Sequence, residues 1–274
     1  MIGFIQGRLT PSTTGKLQFF PWNNWKREFQ IAKENNFNLM EWTIDMENIQ
    51  NNPLFTNESL IKKLSIENKL SIKSITCDFL MEYPFYKDTN YLPKKEFNSL
   101  KYLEKTIIAC EKLCIDYIIF PLVDSGRIEN KNQEEILIEK LTKLKILNNS
   151  NCQILFETDF SPSKQLNFIS KFKKESFGIN YDTGNSASMG FNVKEEMDIY
   201  FKYIKNIHIK DRKFKSESVK LGSGDFNFNL FFSLLKKLSY SQNMILQTAR
   251  ENYFSETEDI IFGYNFIRGH MDVN

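Results

Sequence analysis

The sequence predicts an α/β fold, a (β/α)8 TIM barrel formed as a single domain over residues 1–274, on three observations. Eight short runs rich in β-branched and aromatic residues recur along the chain, each followed by a longer segment with helical spacing. Most of these runs are almost wholly apolar, as strands covered on both faces of a parallel sheet must be. The turn after the first run, Gln6-Gly7-Arg8-Leu9, lacks the glycine-rich phosphate loop that a doubly wound sheet places there. A closed barrel is therefore the expected architecture.

The predicted strands are Ile2–Gln6, Asn38–Thr43, Ser71–Cys77, Asp116–Leu122, Cys152–Glu157, Phe177–Asp182, Asn206–Lys210 and Asn243–Gln247. Between them, Trp22, Trp25, Phe29 and Ala32 repeat at helical spacing and end at the turn-like Asn35-Asn36. Phe97, Leu100, Leu103, Ile107, Cys110 and Cys114 form a second stripe, which places the two cysteines on one face as small packing residues. Leu137, Leu141, Leu144 and Leu147 form a third, and Phe228, Phe231, Leu235 and Leu238 a fourth. A last helix is expected over Glu256–Arg268, closed by Gly269 as its C′ residue.

Charge and composition narrow the functions. Lys and Arg number 36 against 34 Asp and Glu, a net charge of +2, which excludes the strongly basic surface of a nucleic-acid binder. The N-terminal MIGFIQGR has no basic run of a signal peptide, and Tyr117–Val123 is far shorter than the roughly 18 residues of a membrane span. A cytoplasmic protein with no membrane partner is expected. The four cysteines read as reduced packing residues, since a zinc pair would need further soft ligands nearby. There are 25 Phe and only 2 His, so an imidazole-dependent site has little material.

Barrel enzymes build their sites where strands end. Strand five ends at Glu157, strand six at Asp182, strand seven carries His208 near its end, and strand eight ends at Gln247. Four consecutive strands thus deliver two carboxylates, one imidazole and one amide to the same rim. Oxygen donors with one nitrogen suit one divalent ion, Mn, Mg, Co or Zn. Asp182 could also cap the helix that follows it. Arg8, Arg212 and Arg250 follow strands one, seven and eight, where guanidinium groups suit a phosphate or carboxylate. Trp22, in the first loop, offers an aromatic face for a sugar or a cover for the barrel edge. Gly222-Ser223-Gly224 is a candidate backbone nest for an anion or a simple turn.

These segments resemble the xylose-isomerase-like TIM-barrel superfamily, in its sugar-phosphate isomerase/epimerase branch. The resemblance spans essentially the whole chain. It rests on the opening QGRL, on Glu41-Trp42, on Glu157 in FETD, and on Tyr181-Asp182-Thr183-Gly184-Asn185. It continues through His208-Ile209-Lys210-Asp211-Arg212 and Gly222-Ser223-Gly224-Asp225-Phe226. It implies a metal held by Glu157, Asp182, His208 and Gln247, and proton transfer beside the carbonyl of a small carbohydrate, with Glu157 as the first base. Arg8, Glu41, Trp22, Lys210, Arg212 and Arg250 are the expected substrate contacts, and the resemblance implies pairing of copies into a homo-oligomer. The histidine-rich endonuclease branch is excluded by the histidine count.

One position departs from the pattern. Where the family has a second acid/base glutamate, this chain has Gln247, which offers a ligand oxygen but cannot titrate. Three accounts follow. Glu41, Lys210, Asp211 or Glu251 supplies the second base. Alternatively the reaction uses one base, as in a lyase or dehydratase. In the third, the barrel only binds carbohydrate.

Overall fold

The computed structural model describes residues 1–12, 17–88, 97–250 and 256–272. Chain order runs β1 (Ile2–Ile5), α1 (Trp25–Glu34), β2 (Leu39–Ile44), α2 (Pro53–Thr56), α3 (Glu58–Asn68), β3 (Ser71–Cys77), α4 (Asp78–Glu82), α5 (Ser99–Leu113) and β4 (Tyr117–Leu122). It continues with α6 (Lys131–Thr142), α7 (Lys145–Asn148), β5 (Gln153–Thr158), α8 (Pro162–Ile169), β6 (Phe177–Asp182), α9 (Thr183–Met189), α10 (Val193–Tyr200) and β7 (Ile204–Ile209). Last come the short ribbon β8 (Asp211–Arg212) and β9 (Ser218–Val219), then α11 (Phe228–Lys237), β10 (Asn243–Leu246) and α12 (Glu256–Asp272). Eight of these strands close a barrel in the order β1-β10-β7-β6-β5-β4-β3-β2, with β1 paired to both β2 and β10.

Every barrel pairing is parallel, so all strand C-termini meet at one mouth. All six residues of β2 and all six of β6 are buried, as the continuous apolar runs predict. Register sets the height of the site: Asp182 pairs with His208, and Glu157 with Pro121. The high phenylalanine count is spent between strands and helices. Phe156 meets Phe168, Phe172 and Phe177 with ring centroids 5.0, 4.9 and 5.7 Å apart. Asparagine side chains cap the outer helices, with Asn57, Asn98, Asn130, Asn192 and Asn227 each accepting a backbone N–H in the first turn of α3, α5, α6, α10 and α11.

Four expectations shift. Trp22 precedes α1, which begins at Trp25, and its ring packs edge-on to Phe20 at 4.8 Å. The third stripe is split, because α6 ends at Thr142 and Leu144 is extended before α7. Cys114 leaves α5 in the left-handed conformation (φ 55°) and is exposed, away from the buried Cys110. Gly269 closes nothing, since α12 runs on to Asp272. Among the described residues no helix is long and apolar enough to cross a membrane.

The described parts of the first loop are fixed from two sides. Gly7 turns it at φ 88°, with the Phe19 carbonyl so close that an added Cβ would lie 2.7 Å from it. From below, the buried Glu28 of α1 accepts the N–H groups of Gly7 (2.9 Å) and Leu9 (3.0 Å) and the Thr10 hydroxyl. From above, Arg250 donates to the carbonyls of Gly7, Thr10 and Leu17 and lies over the Phe19 ring.

Burial lifts the Glu28 carboxyl from 4.5 to about 7, outweighing its backbone hydrogen bonds. The folded state therefore holds this proton more tightly than the unfolded chain, and the resulting stability is full below pH 4.5 and lost as pH rises through 7. The stability margin of the wild type over Glu28→Gln should shrink by up to about 3 kcal/mol between pH 4.5 and 8. Urea titrations of both proteins across that range check it, and parallel curves would refute the assignment.

Candidate active site

The barrel interior near its mouth is crossed by polar side chains that strand alternation places at one height. Asn180 and Asn206 stand two residues before Asp182 and His208, so each shares the inward face of its strand. Asn206 Nδ2 donates to Glu41 Oε2 (3.2 Å) and Asn180 Oδ1 (2.8 Å), and Asn180 Nδ2 donates to Glu157 Oε2 (2.8 Å). Ser74 donates to Glu41 Oε2 at 2.6 Å. His208 closes the circle, with Nε2 2.8 Å from Glu41 Oε1 and Nδ1 3.0 Å from Glu157 Oε2.

Electrostatics follow from this geometry. Burial alone would depress the His208 imidazole, but Glu41 and Glu157 on either side hold it well above its usual 6.5. Burial likewise works to raise Glu157, yet His208 and Lys210 beside it, with the Asn180 amide, keep it below the usual carboxylate range. Glu157 is thus an ionised carboxylate braced by Asn180 and by Asn185 Nδ2 at 3.1 Å. Asp182 is raised by burial, partly offset by Lys210. Its Oδ1 caps α9 through the Asn185 N–H (2.8 Å), while Oδ2 faces Lys210 Nζ at 2.8 Å. Asp182 is therefore both a cap and a site residue.

Two buried atoms test whether a cation suits this place. Asp182 Oδ2 and His208 Nδ1 are each close to one charged neighbour, but neither contact has the alignment of a hydrogen bond. The ligand atoms of Glu157, Asp182 and His208 lie within 4.8 Å of one another. Donors sharing one small divalent ion at about 2.1 Å stand up to about 4.2 Å apart, so a slight contraction suffices. The donor set fits the ion. Gln247 is placed differently from the expected fourth ligand: its Oε1 accepts from Lys210 Nζ (3.1 Å), and its Nε2 donates to Gln18 Oε1 (2.5 Å). The Lys210 ammonium thus stands between Gln247 and Asp182.

Above these residues opens a cavity of about 730 Å³, walled in part by Gln18, Asp78, Glu157, Lys210, Arg212 and Gln247. It places some expected substrate contacts on the wall and others elsewhere. Lys210, Arg212 and Arg250 line it, although Arg250 is largely occupied by the first loop. Glu41 is wholly buried behind His208 and belongs to the positioning circle. Arg8 is buried beside the first loop, where it donates to the Leu17 carbonyl, and burial lowers its guanidinium to about 9. Trp22 packs on the hydrophobic core at the barrel edge. The proposed glycine nest is already filled, because Gly222 and Gly224 donate their N–H groups to Asp211 Oδ2 at 2.9 and 2.8 Å. That engagement also removes Asp211 from the candidates for a second base, and Glu251 lies outside the described residues. Asn180, Asn206, Ser74, Gln18 and Asp78 were not singled out from sequence. Strand alternation back from Asp182 and His208 would have found the first two.

Comparison with known proteins agrees with this architecture. The family model described as xylose isomerase-like TIM barrel matches residues 29–269, and the chain belongs to that family. A Haemophilus influenzae protein named "Putative L-ribulose-5-phosphate 3-epimerase SgbU" is 24% identical over 267 residues, covering 90% of this chain and 92% of the relative. Among solved structures, an L-ribulose 3-epimerase superposes with a TM-score of 0.75 at 13% identity, over 99% of this chain and 94% of the other. The IolI protein, solved with a bound zinc atom, gives 0.73 at 14% identity, over 98% and 97%.

Replacing Glu41 with Ala would strand the His208, Ser74 and Asn206 donors in a dry interior. We expect a loss of about 3 kcal/mol or more, read as a lowered midpoint in urea unfolding. A shift below about 1 kcal/mol would show that the circle is not under this constraint.

Proposed function

We propose that the protein is a divalent-metal-dependent isomerase or epimerase that moves a proton beside the carbonyl of a sugar or sugar phosphate. The observation that carries the reading is Glu157, an ionised carboxylate facing the cavity and converging with Asp182 and His208. Its pairing with His208 and two asparagine amides fixes its direction, so a substrate C–H can be presented to a base that no longer has to be oriented. Glu157, Asp182 and His208 would hold the ion, whose charge stabilises the oxygen next to the carbon that loses its proton. Lys210, Gln18 and Gln247 offer donors and acceptors to sugar hydroxyls, and Arg212 offers a guanidinium to a phosphate. The sugar-epimerase names of the relatives support this substrate class. We read the protein as cytoplasmic, with a small carbohydrate as its partner.

Gln247 favours a second reading, a lyase or dehydratase that uses one base, since the amide cannot return a proton. Both readings share the metal and Glu157. Isothermal titration with Mn²⁺ should show one site per chain, and Gln247→Glu should tighten it about tenfold by adding a carboxylate. Equal affinities would show that a carboxylate at position 247 does not reach the ion. Incubated with L-ribulose 5-phosphate in deuterated water, the wild type should wash deuterium into the carbon beside the carbonyl and Glu157→Gln should not. Exchange undiminished in Glu157→Gln would refute its role as the base.

A further inference from the structure

Epimerisation needs two proton-transfer groups, and Gln247 cannot be one of them. The alternatives on the barrel rim are already committed: Glu41 lies behind His208, Asp211 binds the Gly222 and Gly224 N–H groups, and Asp45 accepts the N–H groups of Phe20 and Glu47. Asp78 remains. It is the first residue of α4, directly after β3, is buried, and lines the same cavity as Glu157. Its Oδ2 accepts from Gln18 Nε2 at 2.8 Å, and Gln18 Oε1 in turn accepts from Gln247 Nε2 at 2.5 Å. A file of two amides therefore links Gln247, after β10, to a carboxyl that follows β3, three strands round the barrel.

Resting on the isomerase/epimerase reading above, we propose that Asp78 is the second proton-transfer group, acting on the substrate face that Glu157 does not reach. Glu157 breaks the C–H bond, and the electron pair enters a carbon–carbon double bond as the carbonyl oxygen takes the negative charge. The Asp78 O–H then breaks, its proton bonds to the same carbon from the other face, and the carbonyl re-forms. The turnover leaves Glu157 protonated and Asp78 ionised, and water returns both to their starting states. Burial lifts the Asp78 carboxyl to about 7, aided by Asp45, Glu82 and Glu157 and opposed by the Gln18 amide, with the Arg8 guanidinium also in its field. Near neutrality such a group both holds and yields a proton.

Asp78→Asn keeps the acceptor oxygen for Gln18 and tests the assignment with Mn²⁺-loaded protein in deuterated water. The probes are L-ribulose, L-ribulose 5-phosphate, D-tagatose and D-allulose. We expect the variant to form epimer at least about 100-fold more slowly, while deuterium exchange through Glu157 continues within a few-fold of wild type. Asp78→Glu should recover part of the epimer formation. Epimer formation at the wild-type rate in Asp78→Asn overturns the proposal and leaves Glu157 in place. Equal loss of exchange and epimer formation, with no recovery by Asp78→Glu, assigns Asp78 a structural role and also overturns it. If the wild type exchanges none of the four sugars, the isomerase/epimerase reading falls and this proposal falls with it.

Discussion

The site depends on a single buried imidazole held between two carboxylates. His208 has no exposure, and a charged group so placed is tolerable only because Glu41 and Glu157 face its two nitrogens. From that arrangement the other positions follow. Glu41 needs Ser74 and Asn206 to satisfy its remaining lone pairs, Asn206 needs Asn180, and Asn180 fixes Glu157. Glu157 is thus oriented from the far side of the barrel.

Above this circle the mouth has a different logic. Lys210 joins Asp182 to Gln247, and Gln18 carries the connection to Asp78. Each of these side chains comes from a strand end or a loop. Their amide and ammonium donors are suited to hydroxyl groups, whereas the members of the interior circle bond mainly to one another. The cavity therefore has a rigid floor and walls able to exchange one hydrogen-bond partner for another.

Much of this was legible in the sequence because barrel strands announce themselves. Buried parallel strands are apolar throughout, and the polar residues that interrupt them near their ends stand out, as Glu157, Asp182 and His208 do. Boundaries moved by a residue or two, since Gln247 lies just beyond β10 and β7 starts at Ile204. What spacing could not show was where long side chains go. Nothing local distinguishes a glutamate that turns inward behind a histidine from one that meets a substrate, and Glu41, expected at the substrate, is buried against His208. Glycines with an open nest look the same as glycines whose nest is filled by Asp211, a partner more than ten residues upstream. Gln18 and Asp78 lie 60 residues apart, and only closure of the barrel brings them together.

The circle of Glu41, Asn206, Asn180, Glu157 and His208 draws its members from four strands, and each touches at least two others. Changing one leaves at least two others unmatched, so these positions can drift only in concert. Gln18, Asp78 and Gln247, by contrast, form an open file at the rim, outside the circle. A scaffold so arranged leaves its chemistry to be set at the rim, over a floor whose members constrain one another.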